Sequence, residues 1–133
     1  MEMNTETIRC RDLMVGDWIA NQNGSPMQIV AVDEDNAYAC KGNEEGPWIF
    51  GDDEGYKPEP IILTPEILEK NGWKHSNRLM IARIDDNNFY WSEELGGILY
   101  KNQYNMCDCK YIHNLQHALR LCGLNKLADN FKV

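Results

Sequence analysis

Turn-forming residues cut the first half of this 133-residue chain into runs of strand length, and that punctuation constrains its fold more than any other feature. Gly16-Asp17 leads into the aromatic and β-branched run Trp18-Ile19-Ala20. Asn21-Gln22-Asn23-Gly24-Ser25-Pro26 is dense in turn formers, and Asn23-Gly24 is a hairpin signal because both residue types tolerate positive φ. Met27-Gln28-Ile29-Val30-Ala31-Val32 is apolar at nearly every position after Gln28, the pattern of a central strand. Asp33-Glu34-Asp35-Asn36 turns the chain again, and Ala37-Tyr38-Ala39-Cys40 and Trp48-Ile49-Phe50 are the next strand candidates. Strands at this spacing predict a small barrel or a strongly bent sheet, with an SH3-like barrel as the preferred form.

Residues 51–60 hold two prolines, two glycines and four acids, which rule out a central strand and mark a boundary between subdomains at 1–60 and 61–133. A capped helix is predicted over 64–71. Thr64 is its N-cap, Pro65 occupies the first helical position, Leu63 and Leu68 form a hydrophobic staple, and Gly72 ends it. Strand patterns resume at 79–84, 89–92 and 98–100, separated by Asp85-Asp86-Asn87-Asn88 and Gly96-Gly97, and predict an antiparallel meander. A C-terminal helix follows at about 111–122, with a short final helix after it. Ile112, Leu115, Ala118, Leu119 and Cys122 take helical spacing toward a core, while His113, Gln116, His117 and Arg120 fall on another, polar face. The fold class is therefore α+β: an SH3-like β-barrel followed by an α-β-β-β-α unit.

A chain of this length can bury roughly two-thirds of its unfolded surface. Its hydrophobic fraction of 43% is that of a globular protein. The five cysteines, Cys10, Cys40, Cys107, Cys109 and Cys122, are odd in number and scattered, so they read as reduced thiols of a cytoplasmic protein. Residues 1–7 lack the basic start and apolar run of a signal peptide, and no apolar run approaches the roughly 20 residues of a membrane span. Charge is divided unevenly. Residues 1–60 hold 4 Lys or Arg against 13 Asp or Glu, a net of −9, whereas residues 61–133 hold 9 against 8. The acidic half repels phosphate, which disfavours nucleic acid as its partner; the simpler reading of the charge is a solvated surface, and the sharper one an acidic face for a basic partner.

The segment 107–123 holds the only hint of metal chemistry. Cys107, Cys109, His113 and His117 are thiolate and imidazole donors that suit zinc, and two histidines four residues apart share a helix face. Only three residues separate Cys109 from His113, shorter than the spacer of familiar zinc modules, and the simpler reading makes the cysteines small apolar fillers. His113-Asn114-Leu115-Gln116-His117 has the histidine spacing of the zinc metalloproteases, but Asn114 stands where their general base belongs. Asp33-Glu34-Asp35-Asn36 starts like a calcium loop, yet Ala37 and Tyr38 replace a ligand and the required glycine. No phosphate loop, dinucleotide fingerprint or nucleophile elbow occurs. On the meander, Phe89, Tyr90, Trp91, Tyr100 and Tyr104 interleave with Arg78, Arg83, Lys101 and Lys110, the mixture from which single-stranded nucleic-acid platforms are made; the preferred reading makes alternate aromatics core and the basic residues ordinary sheet surface, since a basic domain footprint is missing.

Three motifs carry a resemblance. Leu13-x-x-Gly16-Asp17-Trp18, the run Leu63 to Trp73, and Tyr111-Ile112-His113-x-Leu115-Gln116, in that order, resemble a family of small uncharacterised proteins from gut Bacteroides genomes and their prophages. The resemblance covers most of the chain. It implies a phage or mobile-element origin, and no activity, cofactor or site residue comes with it. The chain is expected to act by binding, most directly to a protein, without catalysis or cofactor. Single-stranded nucleic acid through the meander, and zinc through Cys107, Cys109, His113 and His117, are the alternatives.

Overall fold

The computed structural model describes residues 8–40, 48–51 and 57–133. The polar segment 1–7 and residues 52–56 of the loop read at 51–60 lie outside the described residues. The chain divides into two compact units, Met1–Ile61 and Ile62–Val133. The described residues form an α+β fold with two antiparallel sheets.

The first unit holds β1 (Trp18–Ala20), β2 (Pro26–Val32), β3 (Asn36–Cys40) and β4 (Trp48–Gly51), hydrogen-bonded in that order in a half-barrel-like sheet. Alternation puts Ile19, Met27, Ile29, Ala37, Ala39 and Phe50 in the core with Ile8, Cys10 and Leu13. Asn23-Gly24 does not close a two-residue turn. The loop is five residues long, and buried Asn21 organises it by accepting from the N–H groups of Asn23 (2.9 Å) and Ser25 (3.0 Å). The apolar run 27–32 is interior in strand order, but its second half faces solvent. The register steps from Ile29↔Ala39 to Ala31↔Tyr38, so Val30 is left in a bulge and Val30, Ala31 and Val32 are exposed. The backbone of Glu59 then pairs with Ala20 at the free edge of β1.

The second unit opens with α1 (Pro65–Lys70). Thr64 Oγ1 accepts from Ile67 N–H at 3.2 Å, Leu63 and Leu68 are buried, and Gly72 turns away with φ +88°. A five-stranded meander follows: β5 (Lys74–Ser76), β6 (Leu79–Ile84), β7 (Asn87–Ser92), β8 (Ile98–Lys101) and β9 (Tyr104–Asp108). The three strands expected from sequence are its interior, β6 to β8, and the structure adds both edges. The β6–β7 turn has positive φ at Asp85 (49°) and Asp86 (65°), the conformation of a tight hairpin turn, which aspartate tolerates. Met80, Trp91 and Leu99 form one buried row across the sheet, and Trp73 lays its ring 6.4 Å from that of Phe89. The chain ends with α2 (Ile112–Leu121) and α3 (Asn125–Asp129). Ile112, Leu115, Ala118 and Leu119 are buried as expected, and Cys122 is half-buried. The expected polar stripe is corrected. Gln116 is fully buried with its Nε2 donating to Ala128 O at 2.9 Å, His113 is buried, and Arg120 pairs with Asp129 at 3.3 Å. For Gln116 and Arg120 the cause is α3, whose Ala128 and Asp129 meet them. Among the described residues no helix is long and apolar enough to cross a membrane.

Candidate functional site

The four candidate ligands separate into two pairs at the junction of β9 and α2. Cys107 lies on β9 opposite Leu99, and Cys109 follows one residue beyond the strand. Two residues of extended chain return to the same face, and the two sulfurs lie 3.6 Å apart. Cys107 is half-buried and Cys109 fully buried. The backbone of Cys109 is held on both sides. Its N–H donates to Gly97 O at 2.6 Å, and its carbonyl accepts from Trp91 Nε1 at 2.9 Å. Gly97 (φ +91°) admits no side chain, because a Cβ there would stand 2.9 Å from Cys109 O.

The thiols are electrostatically unequal. The Cys109 S–H hydrogen bond lowers Cys107 from 9.0 to about 7, against opposing effects of burial and of the Asp108 carboxylate. Cys109 is pushed up, first by that same shared proton and then by its burial. The pair therefore gives up one proton near neutrality and holds the other tightly.

His113 and His117 belong to a ring stack. His113 lies parallel to Tyr111, with centroids 6.0 Å apart, and meets His117 edge-on at 5.7 Å. Lys110 Nζ sits 5.5 Å from the Tyr111 ring centre. Asn114 accepts from Tyr111 N–H at 3.1 Å, so it caps the start of α2. Among the described residues no three His, Cys, Asp or Glu side chains converge as metal ligands. Cys107, Cys109, His113 and His117 thus stand as a dithiol and a ring stack, not as one tetrahedral set.

The calcium-like run is a turn. Asp33 Oδ1 accepts from the N–H groups of Asp35 (3.0 Å) and Asn36 (2.8 Å), and Oδ2 from Tyr38 O–H (3.1 Å). The Asn36 and Asp35 N–H groups hold the Asp33 carboxyl below its ordinary range.

The aromatic and basic residues of the meander divide by face. Phe89 and Trp91 are core residues, and Lys101 stands opposite Phe89. Arg78 pairs with Glu94 and Arg83 with Asp86 at the surface. Lys110 belongs to the ring stack, and Tyr104 is 75% exposed at the β8–β9 turn. Tyr90 and Tyr100 are direct cross-strand partners on the other face, in a row with Ile81 and Lys74.

One feature carries no motif in the sequence. A cleft of about 440 Å³ is lined by Lys70, Arg83 and Lys132 around Trp73, Leu119 and Phe131, and no acid lines it. Its residues come from α1, β6, α2 and the C-terminal segment, and only the fold brings them together. Asn71 fixes one wall by donating to Lys132 O and accepting from Lys132 N–H. Comparison of the chain with protein-family models, with curated proteins and with solved structures finds no match.

Proposed function

We propose that this protein acts by binding another protein, without catalysis, through the outer face of an SH3-like N-terminal sheet. We further propose that it works in the cytoplasm and descends from a phage or mobile element. The observation that carries the binding reading is the composition of that face. The register aligns Trp18, Gln28 and Cys40 in one row, and Ala31, Tyr38 and Ile49 in the next. None of the six is charged. Ile49 is 57% exposed and the bulged Val30 49%. Exposed apolar side chains grouped on one sheet face are a feature of interaction sites. The unit's sequence carries a net charge of −9 over residues 1–60, which would attract a basic partner over long range. The five free cysteines suit a reducing compartment.

The test is capture from the native host at two salt concentrations, with the bound proteins identified by mass spectrometry, for the wild type and Ile49→Glu. The reading expects a basic partner whose capture weakens with salt and is lost with Ile49→Glu. Capture indifferent to Ile49→Glu contradicts it.

A second reading rests on Tyr90 and Tyr100, adjacent across β7 and β8 with Lys74 at the end of their row. Single-stranded nucleic acid stacks on such pairs. Salt-sensitive retention on immobilised single-stranded DNA that is lost with Tyr90→Ala would favour it. Equal retention of wild type and variant would exclude it.

A further inference from the structure

We propose that Cys107 and Cys109 form a redox-active dithiol, which low-molecular-weight disulfides such as glutathione disulfide oxidise reversibly to an intramolecular disulfide. This goes beyond the binding reading and does not depend on it.

The geometry supplies a division of labour. The half-buried Cys107 can be reached by a small disulfide, while the fully buried Cys109 cannot, and its sulfur waits 3.6 Å behind. The more acidic thiol is also the accessible one, which is the combination that makes a cysteine reactive. The Cys107 thiolate attacks one sulfur of the disulfide RS–SR. A Cys107–S–S–R bond forms, the RS–SR bond breaks, and RS⁻ leaves and takes a proton from water. Cys109 then loses its proton and its sulfur attacks Cys107 Sγ. The internal S–S bond forms, the mixed disulfide breaks, and the second RS⁻ departs with that proton. The dithiol has given up two electrons and two protons, and RSSR has become two RSH.

The backbone explains why the reaction reverses. Residues two apart on a strand have Cα atoms about 6.6 Å apart, near the upper limit of about 6.8 Å for an unstrained disulfide. Here the chain cannot contract freely. Cys109 is tied through its N–H to Gly97 and through its carbonyl to Trp91 Nε1. A disulfide closed against those two bonds is strained, and strained disulfides are readily reduced. The oxidised form must lengthen one of the two bonds, so the redox state is felt at Trp91 and at the start of α2 three residues on.

The experiment uses the full chain. Wild type is equilibrated in buffers of varied ratio of reduced to oxidised glutathione. Remaining thiols are alkylated, and peptides are mapped by mass spectrometry. The proposal expects a Cys107–Cys109 peptide lacking two hydrogens, returned to the dithiol by excess reduced glutathione in the folded protein. It also expects the indole N–H resonance of Trp91, identified by its loss in Trp91→Phe, to shift on oxidation. Cys109→Ser should stop at a glutathione adduct on Cys107, and Cys107→Ser should leave Cys109 unmodified. Four wild-type results overturn it: Cys107 that stays alkylatable at every ratio, a stable glutathione adduct on Cys107, pairing of either cysteine with Cys10, Cys40 or Cys122, or a disulfide that reduced glutathione cannot open.

Discussion

In the second unit three helices accompany five strands, and the large apolar side chains Met80, Phe89, Trp91 and Leu99 are buried along with Leu68, Leu115 and Leu119. In the first unit, among the described residues, the only helical element is the short 3₁₀ turn Cys10–Asp12. Its sheet places Ile29, Ala39 and Phe50 in a core and leaves Val30, Val32 and Ile49 in solvent. The difference teaches where to look for each kind of behaviour. A sheet whose apolar residues occupy both faces has surface left to bury against a partner. In the second sheet the fully packed row Met80, Trp91 and Leu99 can hold a polar device beside it, here the dithiol, at a fixed geometry, while the partly exposed Ile81, Tyr90 and Tyr100 occupy the other face. The charge follows the same division, at −9 for residues 1–60 against +1 for 61–133.

The contrast is broken most forcefully at α2. Leu119 is 3% exposed, so Leu119→Ala should cost about 2–5 kcal/mol in urea denaturation, a large part of the roughly 5–15 kcal/mol that stabilises a typical domain. A cost near the surface value of about 0.5 kcal/mol would mean that α2 is not part of the second core. Gln116→Ala comes next. It removes the side-chain donor to the Ala128 carbonyl, which the Phe131 N–H also serves at 3.4 Å, and empties a fully buried position; it should cost about 1–3 kcal/mol by thermal or urea melts, whereas an exposed polar stripe would register almost nothing. Thr64→Ala removes the acceptor for Ile67 N–H and should cost about 1 kcal/mol by the same measurement. The last of these effects is one of reactivity, at the dithiol. Thiolate is the alkylated form, so iodoacetamide should modify Cys107 with a rate that rises through pH about 7 instead of the ordinary 9.0. Cys109→Ala removes the donated proton and should move that midpoint back up. An unchanged midpoint would show that the neighbouring thiol is not its cause.

These residues also show what the sequence made legible. Helix α1 was readable because Thr64, Pro65 and Gly72 act within one turn of their own positions. The interior strands β6 to β8 were readable because their apolar content does not depend on partners. The edges were not. Lys74-His75-Ser76 is wholly exposed and extended only because β6 pairs with it, and 104–108 has no alternation to announce β9. The bulge at Val30 is a matter of register between strands, which no single strand's pattern records. Gln116 looked like surface because its burial depends on α3 returning over it. At the candidate site, the spacing Cys107-x-Cys109 puts both sulfurs on one face wherever the chain is extended. The groups that fix the pair, Gly97 and Trp91, lie far enough away in sequence that only the meander's register brings them there. The cleft around Trp73 and Phe131 was invisible for the same reason.

The contrast between the units rests finally on two adjacent residues of β4. Phe50 is 0% exposed and Ile49 57% exposed on the opposite face. Urea denaturation of Phe50→Ala and Ile49→Ala tests this directly. Phe50→Ala should lose about 3–5 kcal/mol, and Ile49→Ala should stay within about 0.5 kcal/mol of wild type, because its side chain is exposed. Comparable losses at both positions would show that the outer face is already buried within the protein, and would contradict the account of the first sheet as an open binding surface.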